Sequence, residues 1–264
     1  MDKRILLCDI GNTQICIGIS SGDNIEHIWR LQTAYRTEDE FFVLLKAFLG
    51  ETEVDPCNIE GITISSVVPY LTKVFRHLSA KYWKIQPVIV SAELDLGLNY
   101  GDIKYPNRVG ADLIADAFAA YQQYGKPKKR NCIVVDFGTA TTLQLITYEG
   151  KFAGTVIAPG VLSGSENLIK KTAQLEQIEL QAPKTLLGND TRSAMLSGII
   201  IGAALMVDGF ILRIKEQYGD SGGGFFTVGT GGDAELVSTQ TNYIDLINKN
   251  LTLEGLLFIY RYLK

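Results

Sequence analysis

Two stretches of the chain repeat one arrangement of apolar and polar positions. Ile5-Leu6-Leu7-Cys8 is an apolar run that ends in Asp9-Ile10-Gly11-Asn12-Thr13, and Cys132-Ile133-Val134-Val135 ends in Asp136-Phe137-Gly138-Thr139-Ala140-Thr141. A short apolar run stopped by Asp and Gly predicts a buried strand leading into a tight turn. β-rich sequence follows each copy, Ile15 to Ser20 and Thr142 to Thr147. A turn signal comes next, Ser21-Gly22-Asp23-Asn24 or Tyr148-Glu149-Gly150-Lys151, and then a third strand. The meander of strand, acidic turn, strand, turn, strand is thus expected twice, in equivalent places. That repetition predicts two similar lobes.

Helical periodicity follows each meander. Thr37-Glu38-Asp39-Glu40 has capping-box spacing ahead of the apolar run Phe41 to Leu49, with Gly50 as the stop. Leu71 to Tyr82 and Ala111 to Tyr124 are the next helices. The basic stretch Gly125-Lys126-Pro127-Lys128-Lys129-Arg130 then reads as a solvated linker, placing the lobes at residues 1–125 and 126–264. In the second lobe Thr191 to Tyr218 predicts one long helix, bent at Gly198 or Gly202. Phe225 to Val228 predicts a strand running into Gly229-Thr230-Gly231-Gly232, Ala234 to Ser238 a short helix, and Leu253 to Tyr262 a closing helix. Strands alternating with helices make the expected class α/β, with duplicated lobes.

Composition adds bounds rather than detail. Hydrophobic residues are 46% of the 264 and charged residues 20%, which provides ample core for a globular protein. A net charge of −4 offers no bulk attraction to nucleic acid. No signal-peptide layout opens the chain, and the apolar run Gly198 to Val207 is expected to be too short to span a bilayer. Cys8, Cys16, Cys57 and Cys132 form no CxxC pair, so reduced thiols and a cytoplasmic setting are expected.

The two acidic turns carry the candidate chemistry. A glycine straight after a strand-end Asp lets the backbone turn sharply and brings its N–H groups close to phosphate oxygens. Thr13 and Thr139 add hydroxyl donors, and Asp9 is placed to hold Mg²⁺ or its water shell. A single such turn is an ordinary hairpin entry; two after matched strands point to a nucleoside triphosphate held between them. Gly229-Thr230-Gly231-Gly232, also at a strand-to-helix junction, is a candidate third contact for a nucleotide.

This arrangement resembles the superfamily of actin, sugar kinases and the heat-shock-70 ATPases, which implies ribonuclease H-like lobes. The resemblance narrows to the type III pantothenate kinases. It rests on Asp9-Ile10-Gly11-Asn12-Thr13, Ser65-Ser66-Val67-Val68-Pro69, Asp136-Phe137-Gly138-Thr139-Ala140-Thr141-Thr142, Ile157-Ala158-Pro159-Gly160, Thr230-Gly231-Gly232 and Leu251-Thr252-Leu253-Glu254-Gly255-Leu256. It implies ATP-dependent phosphorylation of pantothenate, the first step of coenzyme A synthesis, by a homodimer that needs Mg²⁺ and a monovalent cation, K⁺ or NH₄⁺. It further implies that Asp9, Ile10, Gly11, Asn12, Thr13, Gln14, Ile15 and Cys16, with Thr139, bind ATP, and that Asp136 lies at the monovalent-cation site. Asp112, within Gly110-Ala111-Asp112, matches the catalytic base. Thr191 matches a threonine that reaches pantothenate from the partner subunit. Read from the residues alone, Asp112 and Thr191 are equally well placed as polar residues at helix starts.

The acceptor side departs from the family's pattern. Where the family has Gly-x-Asp-Arg, Leu113 follows Asp112, so Gly110, Ala111, Asp112 and Leu113 form an altered acceptor motif. Losing a charge-assisted hydrogen bond typically costs about 1.5–3 kcal/mol, roughly ten- to a hundred-fold in affinity. Arg108 is a candidate replacement. The family's tyrosine position falls on Ile103, with Tyr100 and Tyr105 on either side. Two further readings therefore stand beside the pantothenate kinase. One is a kinase for another small hydroxylated acceptor. The other is a kinase-like nucleotide-binding regulatory protein, as some relatives are described as transcriptional activators.

Overall fold

In the computed structural model of the protein, residues 4–52, 54–164, 179–219 and 222–264 are described. The chain divides into two compact units. One contains Met1–Leu98, Lys104–Ala119 and Leu251–Lys264; the other contains Asn99–Ile103 and Ala120–Asn250.

The first unit is built on β1 (Arg4–Ile10), β2 (Gln14–Ser21), β3 (Asn24–Gln32), β4 (Ile59–Ser66) and β5 (Val88–Ile89), in the order β3-β2-β1-β4-β5. β1 pairs antiparallel with β2 and parallel with β4. Its alternation explains why Ile5 to Cys8 is apolar at every position. Leu6, Cys8 and Ile10 enter one core with α1 (Glu38–Gly50) and α2 (Pro69–Leu78), while Ile5 and Leu7 enter another with α3 (Ala111–Ala120). The Thr37 cap forms as expected: the Glu40 amide donates to Thr37 Oγ1, and the Thr37 amide donates to Glu40 Oε2 at 2.7 Å.

The second unit repeats the topology. β6 (Asn131–Phe137), β7 (Ala140–Ile146), β8 (Phe152–Pro159), β9 (Phe225–Thr230) and β10 (Leu246–Ile247) lie in the order β10-β9-β6-β7-β8, with β6 antiparallel to β7 and parallel to β9. Each unit is thus the meander with two parallel strands added beyond its first strand, and the duplicated α/β architecture is present. Helix α4 runs from Thr191 to Tyr218 and α5 from Ala234 to Ser238. The bend expected near Gly198 or Gly202 is a π-type stretch, Ser197–Ile201.

Two expectations need restating. The run Gly198 to Val207 lies inside the helix expected over Thr191 to Tyr218, which forms as the 28-residue α4 and, unlike the run alone, is long and apolar enough to cross a membrane by length and composition. Asp208, within α4, is a buried carboxylate that accepts from the Asn242 amide at 3.0 Å. Ile200, Ala204, Val207 and Ile211 pack with Ile133, Val135 and Phe137 of β6, as a core helix does. The second expectation was a single boundary at 125/126. Lys126 to Lys129 are exposed as expected of a linker, yet the closing helix α6 (Leu251–Tyr262) belongs to the first unit. Its Leu253, Leu256, Leu257 and Ile259 pack with Ile5, Leu7, Ile114 and Phe118. Its apolar stripe carries no information about which sheet it covers.

The four cysteines are free. Burial pushes the Cys16 thiol up to about 11 and that of Cys132 to about 12.

Candidate functional site

The first acidic turn is held by its own backbone and by the end of β3. Asp9 sits opposite Cys16 on β2 and Ser65 on β4. The Gly11 amide donates to the Gln14 carbonyl at 3.0 Å, and a β-carbon at position 11 would stand 3.1 Å from that oxygen. Thr33 Oγ1 donates to the Gly11 carbonyl at 2.7 Å, and the Thr33 amide donates to the Thr13 carbonyl at 3.0 Å. These bonds leave Asn12, Thr13 and Gln14 exposed at the apex, whereas Ile15 is fully buried. The Val67 amide donates to the Ile10 carbonyl at 3.1 Å, so the turn after β4 lies beside the loop. There Ser66 Oγ accepts from the Val68 amide at 3.2 Å and from Thr72 Oγ1 at 2.7 Å.

The second turn is enclosed by three glycines. Asp136 stands opposite Thr142 on β7 and Thr230 on β9, and the Gly138 amide donates to the Ala140 carbonyl at 3.1 Å. Gly160 fits so closely that a β-carbon there would be 2.3 Å from the Thr139 carbonyl oxygen. Gly231 adopts a φ of +94°, and a β-carbon there would be 2.3 Å from Asp136 Oδ1. Ser163 Oγ donates to the Thr139 carbonyl at 2.9 Å, and the Asp233 amide donates to the Phe137 carbonyl at 3.1 Å. Asp233 is half-buried and its carboxyl is raised by that burial. The sequence reading missed it, although an acidic residue directly after Gly231-Gly232 at a helix start was a visible signal.

In the first unit, Asp112 lies in the opening turn of α3. Burial raises its carboxyl above the ordinary aspartate range, and the Leu113 amide, donating to Oδ1 at 2.8 Å, opposes the shift. A β-carbon at Gly110 would meet Asp112 Oδ1 at 2.4 Å, so the glycine makes room for this carboxylate to fold back over the turn. Ala111 is buried in the core under α3, and Leu113 is half-buried. Tyr105 and Arg108 belong to this same unit, with the Arg108 guanidinium carbon 4.9 Å from the Tyr105 ring centroid. Tyr100 belongs to the other unit. Its ring lies 5.7 Å from that of Phe152, and burial pushes its hydroxyl up to about 12.

Thr191 is the exposed first residue of α4. The preceding Asp190 is the cap, its carboxylate accepting from the Ser193 amide at 2.9 Å. Thr191 also lines a cavity of about 770 Å³ in the second unit, together with Pro159, Gly160, Ala194 and Gly198. Gly160 is the residue that presses on Thr139, so the segment that packs on the second turn also lines this cavity beside the start of α4.

The arrangement has known relatives. A curated protein of Roseiflexus sp. (strain RS-1) named type III pantothenate kinase is 40% identical over 257 residues, 97% of this chain and 98% of its own length. One from Halalkalibacterium halodurans with the same name is 39% identical over 260 residues, again 97% and 98%. Among solved structures, MreB 5 of Spiroplasma citri bound to AMPPNP has a TM-score of 0.57 at 9% identity, covering 99% of this chain and 97% of that one. That likeness shows the fold, that of the actin-like ATPases. The type III pantothenate kinase family model matches residues 5–213. On that match and those full-length relatives, the chain belongs to the type III pantothenate kinase family.

Proposed function

We propose that the protein transfers the γ-phosphoryl group of ATP to the primary hydroxyl of pantothenate, giving 4′-phosphopantothenate, the first step of coenzyme A synthesis. Family membership supports the reaction class. The observation that carries it to this chain is Asp112, a half-buried carboxylate in the first turn of α3 with its proton affinity raised by burial. A raised carboxylate is a better proton acceptor than an exposed one. The hydroxyl oxygen attacks the γ-phosphorus, Asp112 accepts the hydroxyl proton, and ADP leaves. Little covalent work remains, and positioning with charge neutralisation does the rest.

The residues of both turns suit that second task. The apex residues Asn12, Thr13 and Gln14 are exposed, and their polar side chains suit a phosphate cradle built on a turn. Cys16, its thiol raised and half-buried, and the buried Ile15 contribute packing behind the turn. Asp9 is the ligand for Mg²⁺, which when bound neutralises phosphate charge. Asp136, with its neighbouring carbonyls, is the site for K⁺ or NH₄⁺, and the hard oxygen donors there fit such an ion. Thr139 contacts ATP. Thr191 contacts pantothenate in a homodimer, and the protein works in the cytoplasm.

Leu113 favours one second reading, a kinase whose acceptor lacks a carboxylate. ADP release measured with pantothenate, Mg²⁺ and K⁺ separates the two. Turnover that depends on pantothenate and vanishes in Asp112→Asn supports pantothenate phosphorylation. Turnover seen only with neutral hydroxylated acceptors sinks it, and nucleotide binding without any turnover favours a regulatory protein instead.

A further inference from the structure

The segment leading into Asp112 holds positive charge that the phosphoryl-transfer chemistry does not use. Tyr105 is 50% exposed, and two cations stand against its ring. Lys104 Nζ is 5.3 Å from the ring centroid and the Arg108 guanidinium carbon is 4.9 Å from it. The 3₁₀ turn Pro106–Arg108 sets this spacing, since the Arg108 amide donates to the Tyr105 carbonyl and the Val109 amide to the Pro106 carbonyl, both at 3.0 Å. Lys104 and Arg108 are exposed, and among the described residues neither is ion-paired with a carboxylate. Two like charges gathered on one ring repel each other, and an anion placed against both relieves that repulsion.

Arg108 is four residues from Asp112, at most about 14 Å along an extended chain. The acceptor in the proposed reaction has the matching polarity: a primary hydroxyl at one end and a carboxylate at the other. Leu113 supplies no charge for that carboxylate. We infer that Lys104 and Arg108, steadied on Tyr105, bind the acceptor's carboxylate and so select an anionic acceptor. This inference rests on the pantothenate reading and adds the residues that set its specificity. The guanidinium offers two parallel N–H donors to a carboxylate, and the ammonium offers a point charge.

Steady-state kinetics of Lys104→Gln, Arg108→Gln and the double variant test it. The acceptors are pantothenate and pantothenyl alcohol, the neutral analogue with a hydroxymethyl group in place of the carboxylate. The KM for pantothenate is expected to rise about tenfold in each single variant and about a hundredfold in the double variant, the usual loss for a charge-assisted contact. The values of kcat and the KM for ATP should stay within about twofold. Use of the alcohol should be unchanged, so the preference for the acid disappears, and Arg108→Lys should keep most of it. A double variant with the wild-type KM for pantothenate, or one that loses acid and alcohol equally, overturns the inference. Wild-type protein that does not phosphorylate pantothenate overturns the pantothenate reading, and the inference falls with it.

Discussion

Gly231 lies against the carboxylate of Asp136. Its φ is +94°, and a β-carbon would stand 2.3 Å from Asp136 Oδ1 and 2.6 Å from the Phe137 carbonyl carbon. Neither neighbour can give way easily, because β6 is hydrogen-bonded on both sides and Phe137 is fully buried. Gly231→Ala therefore combines a disfavoured backbone conformation, costing about 1–2 kcal/mol, with a displaced carboxylate. A fall in Tm of at least about 2–4 °C is expected for a chain of this size. If Asp136 holds the monovalent cation, the K⁺ dependence of turnover should weaken as well. Thermal unfolding and a K⁺ titration check the two effects separately.

Gly255 is the tighter contact of the first unit. A β-carbon there would be 2.1 Å from the Ala115 carbonyl oxygen, so α6 and α3 touch backbone to backbone at this point. Gly255→Ala must push α6 away from Leu7, Ile114 and Phe118. Overpacking of this kind costs about 1–3 kcal/mol, outweighing the gain in helix propensity of about 1 kcal/mol. Chemical denaturation should show a lower midpoint. An unchanged midpoint would mean that the two helices have room to separate.

The meanders were legible because each strand carries its own signals: an apolar run, an Asp-x-Gly stop, and a turn sequence before the next strand. β4, β5 and β10 were not anticipated. β5 and β10 are two residues long and exist only because β4 and β9 offer parallel edges. The same limit hid the placement of α6. At the site, Asp9, Gly11, Asp136 and Gly138 could be located by pattern. The packing of Gly160 and Gly231 onto the second turn could not, since it joins residues far apart in sequence. Tyr100 and Tyr105 looked interchangeable in the sequence, yet they belong to different units.

Asp112→Asn separates catalysis from folding. As the base, Asp112 supplies about 10²–10⁴-fold of rate, which the amide cannot replace. The acid limb of kcat should lie above the ordinary aspartate value of 3.8, because burial raises this carboxyl. The sign for stability is the reverse of a salt-bridged aspartate. A raised folded-state pKa favours the protonated form, so its contribution is present below the ordinary pKa and is lost as pH rises through the folded value. At neutral pH the buried charge is a burden, and Asn, which can still accept from the Leu113 amide, removes it. Asp112→Asn should therefore be inactive yet at least as stable as wild type at pH 7, with any advantage vanishing in acid. Unfolding curves at several pH values beside the ADP-release assay read both.

Leu113→Arg places a guanidinium directly after Asp112, in the first turn of α3, while Lys104 and Arg108 lie in the segment that leads into that helix. Leu113 is half-buried, so losing its apolar contacts costs stability, about 1 kcal/mol for a partly exposed leucine. The arginine stem recovers part of that while its head group reaches water. For an acceptor with a carboxylate, a new bidentate contact is worth roughly ten- to a hundred-fold in KM. The gain should depend on what already binds that carboxylate. In wild type the anion is shared with Lys104 and Arg108, and the added cation should lower the KM only a few-fold, because a carboxylate that already accepts the Arg108 fork and the Lys104 ammonium has little acceptor capacity left. In the Lys104→Gln, Arg108→Gln background the full improvement should appear and restore the KM close to wild type. Pantothenyl alcohol should respond in neither background. An equal improvement in both backgrounds would place the carboxylate at residue 113 alone. No improvement in either would mean that this side chain faces away from the acceptor.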